Sequence, residues 1–284
     1  MKQIQSLIRE VFENYEYKMD RTGTGTWSKF GTMLRWNMAD GFPAQTTKKL
    51  FWQGVVGELL WFMRGETNVE VLREITFGKG STRKTIWDDN FENQGKSLGY
   101  TDGELGPVYG YQWRNFGDQG YDRPGVDQLR QVIETIKSNP ESRRMIISAW
   151  NPVDIPHMSL PPCHVMMQFI VHDGKLSLRW DQRSVDVFLG LPFNIASYAL
   201  LLHIVARITG LVPHELIMQA GDTHIYDDHV EQCKEVLRRE PRPLPSLYFP
   251  SHFKTLDDFL NAEVKDFALI NYTHHPVLKG KMAV

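Results

Sequence analysis

Cysteine occurs twice in 284 residues, and one copy, Cys163 in "LPPCHV", stands behind two prolines and in front of a histidine. Two prolines fix φ and withhold two backbone donors, so the thiol enters the next element from a pre-set direction. A lone cysteine is more often inert packing than a nucleophile; a reactive one needs cationic or donor-rich neighbours that favour its thiolate. The segments "HVMMQFIVH" and "KLSLRWDQRS" flank "HDGK", a hairpin signal at Asp173-Gly174, and counting outward from that turn brings Arg183 and Ser184 beside Cys163 and His164. An arginine there would stabilise a thiolate and hold a substrate anion. His164 is set aside as a general base, because adjacent strand residues point to opposite faces. Cys233 shares a helical stripe with Val230 and Leu237 in "DDHVEQCKEVLRRE" and reads as core.

Other polar residues are informative only together. Arg21 in "DRTGTGT", Arg143-Arg144 in "ESRRM" and Arg183 in "QRSVD" are each ordinary solvated charges alone, but converged they would form a bidentate phosphate clamp. "TGTGT" matches no nucleotide-binding fingerprint and reads as a turn-rich loop. Asn194, Ser197 and Tyr198 interrupt the apolar run "LPFNIASYALLL". A buried amide needs partners; Asn194 either caps the helix start or presents its donor and acceptor to an N–H and C=O edge such as that of uracil. His224 and Tyr226 in "GDTHIYDDH" lie two apart, on one side of a strand, suited to sharing a hydroxyl ligand. No metal is expected: His224 and His229 lack a ligand-face spacing and a third ligand, and His274-His275 has no metal pattern.

These groups require a scaffold of paired strands and segregated helices. Apolar spacing predicts amphipathic helices over residues 2–15 and over "GVDQLRQVIETIKSNP". "RRMIISAW", "HVMMQFIVH", "KLSLRWDQ" and "ELIMQAGDTHIY" read as strands. "LPFNIASYALLLHIVARITG", with Pro192 near its start and Gly210 at its end, reads as a buried central helix. The pattern is α+β, without regular βαβ alternation. "DGFPAQTTKK", the ground around Gly78–Lys84 and "NFGDQGYDRPG" read as surface loops, and with no linker or repeat in sight a single domain over residues 1–284 is expected.

Bulk properties narrow the function classes. Lys+Arg 32 against Asp+Glu 34 leaves a net charge of −2, so no general pull toward nucleic acid or anionic membrane is expected. The apolar stretches are too short to span a bilayer, the N-terminus lacks a signal-peptide pattern, and two cysteines make no disulfide framework. A cytoplasmic protein is expected.

Taken together, "DRTGTGT", "GELLWFMRG", "TIWDDN", "GELGPVYGYQWR", "SRRMIISAWNP", "LPPCH", "QRSVDVFLGLPFNIASYALLLHIV", "GDTHIY" and "REPRPLP" resemble the thymidylate synthase family along the whole chain, in a style similar to phage-encoded members. The resemblance implies an α+β fold with a large mixed sheet and a sheet-packed homodimer, located in the host cytoplasm if phage-encoded. It implies that Cys163 adds to ring carbon 6 of dUMP and that carbon 5 then attacks the one-carbon unit of methylenetetrahydrofolate. Arg21, Arg183 and Ser184 would hold the phosphate, with Arg143 and Arg144 reaching in from the partner subunit. Asn194 would read the uracil edge, His224 and Tyr226 the ribose hydroxyl, and Gln182 and Asp186 would join the nucleotide site. Glu58 and Tyr109 belong to the implied proton-transfer network, a role that suits a carboxylate desolvated on an apolar helix. Ile86, Trp87, Asn90, Asp186, Gly190, Phe193 and the terminal carboxylate of Val284 would meet the folate. Hydride from the folate would complete the methyl group, provided water is excluded by Trp87 and the closing C-terminus.

Two positions depart from the family pattern: Asp181 stands where tyrosine is usual, and Ala220 where the first of two glycines is usual. An acid near the exocyclic methylene would order a water, and water attack there yields a hydroxymethyl product. A dUMP hydroxymethylase is therefore the alternative, while Asn194 points to a uracil substrate in either case. A catalytically idle RNA-binding homologue is a further reading, opposed by the near-neutral charge and the absence of a basic stripe.

Overall fold

In chain order the α-helices of the described residues are α1 (Lys2–Asn14), α2 (Trp52–Met63), α3 (Val69–Phe77), the single turn α4 (Asp88–Asn90), α5 (Tyr109–Asn115), α6 (Gln128–Ser138), α7 (Gly190–Thr209), α8 (Val230–Arg238) and the short α9 (Leu256–Leu260). The strands of the main sheet are β1 (Glu16–Met19), β2 (Gly25–Asn37), β3 (Ile146–Ser148), β4 (His164–His172), β5 (Lys175–Asp186) and β6 (Val212–Tyr226). This computed structural model describes residues 1–19, 23–120 and 123–281. The sheet order is β1-β2-β6-β5-β4-β3. Neighbours are antiparallel except β5 and β6, which run parallel.

That one parallel pair explains the central helix. Parallel neighbours cannot be joined by a hairpin, so the chain must cross over, and α7 is the crossover. It lies on the sheet with residues buried all round, from Leu191 to Ile208, and ends at Gly210 with φ 71°, where the missing Cβ lets its N–H return to the carbonyls of Ala206 and Arg207. By length and hydropathy α7 would also reach across a bilayer, contrary to the reading of short apolar stretches, but 78% of it is buried inside the protein, as in a core helix.

The expected hairpin is present. Asp173 and Gly174 have φ of 48° and 72°, and the register runs from His172 opposite Lys175 to His164 opposite Gln182. Along β5, Leu176, Leu178, Trp180 and Gln182 are buried. Trp180 lies nearly parallel to Tyr198 of α7, with centroids 4.9 Å apart. Arg179, Asp181 and Arg183 alternate to the other face, where Met33, Ile146 and Ile170 are 58%, 39% and 52% exposed.

Two loop expectations need correction. In "DGFPAQTTKK", residues 42–48 are buried rather than on the surface. Their partners come from the far end of the chain: Thr46 Oγ1 accepts from Arg242 N at 3.0 Å, Thr47 O accepts from Arg239 Nη1 at 3.0 Å, and Gln45 O accepts from the Tyr272 hydroxyl. Buried backbone groups paired in this way leave no local signal in sequence. The loop assigned to "TGTGT" also ends early, since Gly25 and Thr26 already belong to β2. The stretches 78–84 and 117–120 are largely exposed, as expected.

Helices α2 and α3 meet without a spacer at Gly57. A Cβ there would fall 2.2 Å from Thr76 Oγ1 and 3.2 Å from Thr76 Cα, inside any tolerable contact. Gly57→Ala is expected to cost about 1–3 kcal/mol by overpacking, read from urea unfolding. Adding Thr76→Ala should recover part of the loss; an unchanged midpoint in the single variant would show that α3 can shift aside.

Candidate active site

Cys163 is half-buried at the foot of β4. Its N–H donates to the Tyr109 hydroxyl at 2.6 Å, and its carbonyl accepts from Arg183 N at 2.8 Å. The prolines before it have no N–H to satisfy, but their carbonyls are clamped by the Arg183 guanidinium, Nε to Pro162 O at 2.8 Å and Nη2 to Pro161 O at 2.9 Å. The stiff approach noted in sequence is therefore bolted to β5. A bulge between His164 and Met166 follows. His164 turns inward, where Nδ1 is hydrogen-bonded with Tyr198 Oη at 2.8 Å and its ring stacks on Tyr109 with centroids 4.2 Å apart. Burial lowers its pKa to about 3, so it stays neutral at pH 7 and has no appetite for a proton.

Glu58 projects from α2, whose other side chains are almost all apolar. Part of its surface opens to solvent, yet protein surrounds the carboxylate densely enough that burial raises its pKa to about 7. Trp87 Nε1 donates to Glu58 Oε1 at 2.7 Å, which opposes the rise without cancelling it. Trp87 is itself 3% exposed, wedged against Trp61, Phe62 and Tyr109. Burial likewise holds the Tyr109 hydroxyl protonated, with its pKa well above 10. One aromatic run thus links the acid to the residue that grips Cys163.

On the sheet side, Gln182 and Asn194 are joined by the crossover. Gln182 Nε2 donates to Asn194 Oδ1 at 3.1 Å and to Ser184 O at 3.0 Å, while Gln182 Oε1 accepts from Trp180 Nε1 at 3.1 Å. Asn194 is the fifth residue of α7 and caps nothing, since the N-cap position is Leu189 with no side-chain bond; its amide is oriented from the sheet. His224 and Tyr226 do share one side of β6, their rings 4.9 Å apart. Asp222, held well below the usual carboxylate range, is opposed by burial but bonded by His224, Lys18 and Ser28.

The remaining residues divide into three groups. Asp186 Oδ1 accepts from Phe188 N at 2.9 Å and Leu189 N at 3.1 Å, fixing the turn that leads to Gly190 and Phe193 at the start of α7. Ile86 is 51% exposed beside buried Trp87, and Asn90 Nδ2 donates to Gln94 at 3.3 Å. Arg143 and Arg144 are exposed and stand away from the others. Met145 pairs with Phe169, six residues along from Cys163, which at the strand rise is roughly 20 Å. Arg21 and Val284 lie outside the described residues. Sequence reading missed Lys48, whose Nζ donates to Phe188 O at 2.6 Å and sits 3.8 Å from the Phe188 ring centre; burial lowers its pKa to about 8. Its segment gave no hint of burial.

Asp181 does not point toward Asn194. It alternates to the opposite face of β5 from Gln182 and pairs with Arg179 at 3.2 Å. There it lines a recess of about 280 Å³ with Val165, Arg183, Gln219 and Ala220. An acid on that face is poorly placed to order water beside the amide, which removes the geometric motive for a hydroxymethyl product.

A cysteine on a rigid mount, a carboxylic acid poised near neutrality and an oriented amide on one α+β sheet are the parts that a group-transfer enzyme would use. Comparison with known proteins makes the class specific. The thymidylate synthase family model matches residues 2–284. The chain is 55% identical to the thymidylate synthase of Enterobacteria phage T4 over 293 aligned residues and 51% identical to the probable thymidylate synthase of Escherichia phage T5 over 286, each covering 100% of both chains. The crystal structure of the T4 phage enzyme superposes with a TM-score of 0.93 over 100% of both chains. The chain belongs to the thymidylate synthase family. It is a methyltransferase with methylenetetrahydrofolate as co-substrate, and the hydroxymethylase alternative is not favoured.

The Glu58 pKa has a measurable consequence for stability. Raised from 4.5 to about 7 in the fold, this carboxyl contributes stability that is full below its unfolded pKa and is lost as pH climbs through about 7. At that shift the loss amounts to about 3 kcal/mol. Glu58→Gln, which can still accept from Trp87, is expected to exceed the native protein in urea resistance at pH 8, with the gap closing toward pH 4. Equal stabilities at both pH values would show that the carboxylate is well solvated.

Proposed function

We propose that this thymidylate synthase acts as a single catalytic domain over residues 1–284, converting dUMP to dTMP through a covalent bond between Cys163 and ring carbon 6. Sulfur addition moves electron density to carbon 5, which attacks the one-carbon unit of methylenetetrahydrofolate. Glu58, through water, supplies the proton to the departing amine and takes the proton from carbon 5, which leaves an exocyclic methylene; folate hydride adds to that methylene, and the electron pair it brings re-forms the carbon 5–carbon 6 double bond as the Cys163 thiolate leaves. Tyr109 positions Cys163 through its backbone. Arg183 serves twice, bracing the prolyl carbonyls and turning the rest of its guanidinium to the phosphate alongside Arg21 and Ser184. Asn194, set by Gln182, reads the uracil edge, and His224 and Tyr226 take the ribose hydroxyl. Asp186, Gly190, Phe193, Ile86, Trp87, Asn90 and Val284 meet the folate. The observation that carries this reading is the two-sided clamp on the Cys163 backbone.

The working unit is a homodimer packed through the open sheet face. Two features support it. Met33, Ile146 and Ile170 leave apolar surface on that face. Arg143 and Arg144 lie too far from Cys163 of their own chain to meet its substrate, so the partner's site is the one they complete. Two cysteines outside any disulfide, one of them the nucleophile, suit a reducing cytoplasm.

Cys163→Ala should abolish dTMP formation, by at least about four orders of magnitude in kcat, while dUMP binding stays measurable by calorimetry; normal turnover would refute the nucleophile. A product of dUMP and methylenetetrahydrofolate heavier by one methylene in mass spectrometry fits methylation, whereas an added oxygen would restore the hydroxymethyl reading. Mixing inactive Cys163→Ala with inactive Arg144→Ala should regain about a quarter of native activity, because shuffled dimers hold one intact site. No recovery after verified exchange would place Arg144 in its own chain's site.

A further inference from the structure

His229 is a buried titratable group that the proposed chemistry leaves unused. It is 0% exposed, surrounded by Phe188 and Tyr226 with ring centres 5.0 and 5.8 Å away. Its Nε2 lies 2.8 Å from the carbonyl oxygen of Lys281, 52 positions along the chain. A carbonyl only accepts, so Nε2 carries the proton and donates it. Nδ1 is buried without a hydrogen-bond partner and faces Asp186 Oδ1 at 3.9 Å; Asp228 Oδ1 stands 3.7 Å from Nε2.

The neighbouring residue of the C-terminal segment is fitted to the same spot. A Cβ on Gly280 would come 2.7 Å from Phe188 Cε1 and 2.8 Å from His229 Nε2, so glycine alone lets the chain lie this close. Lys279 O accepts from Gln232 Nε2 at 3.3 Å. Three consecutive residues are thus seated on α8 and the turn before it. The seat is shared with the other end of the site, because Phe188 and Asp186 belong to the turn that starts α7, and Lys48 covers Phe188 from a further direction.

We propose that His229 is a positioning residue that latches residues 279–281 onto the Asp186–Leu189 turn, and that folate binding depends on this latch. The second part rests on the reading of Asp186, Gly190 and Phe193 as folate contacts. A histidine that only filled space would be replaceable by an apolar side chain of similar size; a latch requires the donor.

Trypsin cleavage after Lys281 reports the latch directly, since the bonded carbonyl belongs to the scissile peptide. In the full-length protein, His229→Leu is expected to release the tripeptide Met282-Ala283-Val284 about tenfold faster or more and to raise KM for methylenetetrahydrofolate about tenfold, with KM for dUMP within about twofold. His229→Gln, whose amide reaches the same carbonyl, should restore both. Gly280→Ala, which disturbs the seat from the other side, should reproduce the effect if the leucine variant fails to fold. Unchanged tripeptide release in a folded His229→Leu and in Gly280→Ala would overturn the latch. Faster release with KM rising for dUMP in place of folate would keep the latch and refute the folate assignment of the Asp186 turn.

Discussion

The hydrogen bond from Cys163 N–H to the Tyr109 hydroxyl is the constraint on which the rest of the site depends. It joins the first turn of a short helix, α5, to the point where the chain enters β4. Tyr109 holds its place because its ring is locked in a run of aromatics: Trp87 on one side at 5.9 Å, His164 on the other at 4.2 Å, then Tyr198 and Trp180 at 5.3 and 4.9 Å steps. Each ring buries a large apolar area, and the run ends in the core of the sheet. Glu58 is tied to the same run through Trp87. Sulfur and acid are therefore held by one rigid body, so their spacing is set by packing and needs no flexible loop to establish it.

Holding an acid in that body costs stability, and the packing around it shows where the cost is offset. Glu58 follows Gly57, the residue that lets α2 and α3 touch, and Val55, Val56, Leu59 and Leu60 around it are at most 1% exposed. A helix so apolar is stable enough to carry one carboxyl with a pKa near neutrality. The same environment that makes the group unfavourable for folding gives it an equilibrium between donor and acceptor forms at working pH, which a proton relay needs.

What was legible in the sequence follows from the range of the interactions involved. The β4-β5 hairpin was legible because turn and register are local, and once Asp173-Gly174 is placed, counting brings Arg183 and Ser184 beside His164 and Cys163; the bulge between His164 and Met166 then shifts the register so that Arg183 meets Cys163. The buried helix α7 was legible from composition. β2 was not: its thirteen residues mix glycine, threonine and charges, and it pairs with β6 nearly two hundred positions away. The burial of residues 42–48 and the seat of Gly280 against His229 likewise depend on partners remote in sequence. The reach proposed for Arg143 and Arg144 into a partner's site is harder still, since nothing within one chain brings them to a site.

Under the role proposed for Asn194, substrate choice would follow from a hydrogen-bond chain anchored on a group that cannot change role. The indole N–H of Trp180 only donates, so the oxygen of Gln182 must face it, and the Gln182 amide nitrogen is left to face Asn194. Asn194 must then turn its oxygen toward Gln182, because two NH2 groups face to face have no acceptor between them. With the amide fixed, the nitrogen of Asn194 donates to a pyrimidine 4-oxo group while its oxygen keeps a lone pair for the ring N–H. A 4-amino pyrimidine opposes both, setting donor against donor and lone pair against lone pair, and flipping the Asn194 amide would break the bond to Gln182. Each unmet buried group costs about 1–3 kcal/mol, which makes a uracil ring the one this amide accepts. The crossover through α7 makes this possible: it returns Asn194, twelve residues beyond Gln182, to the strand that orients it.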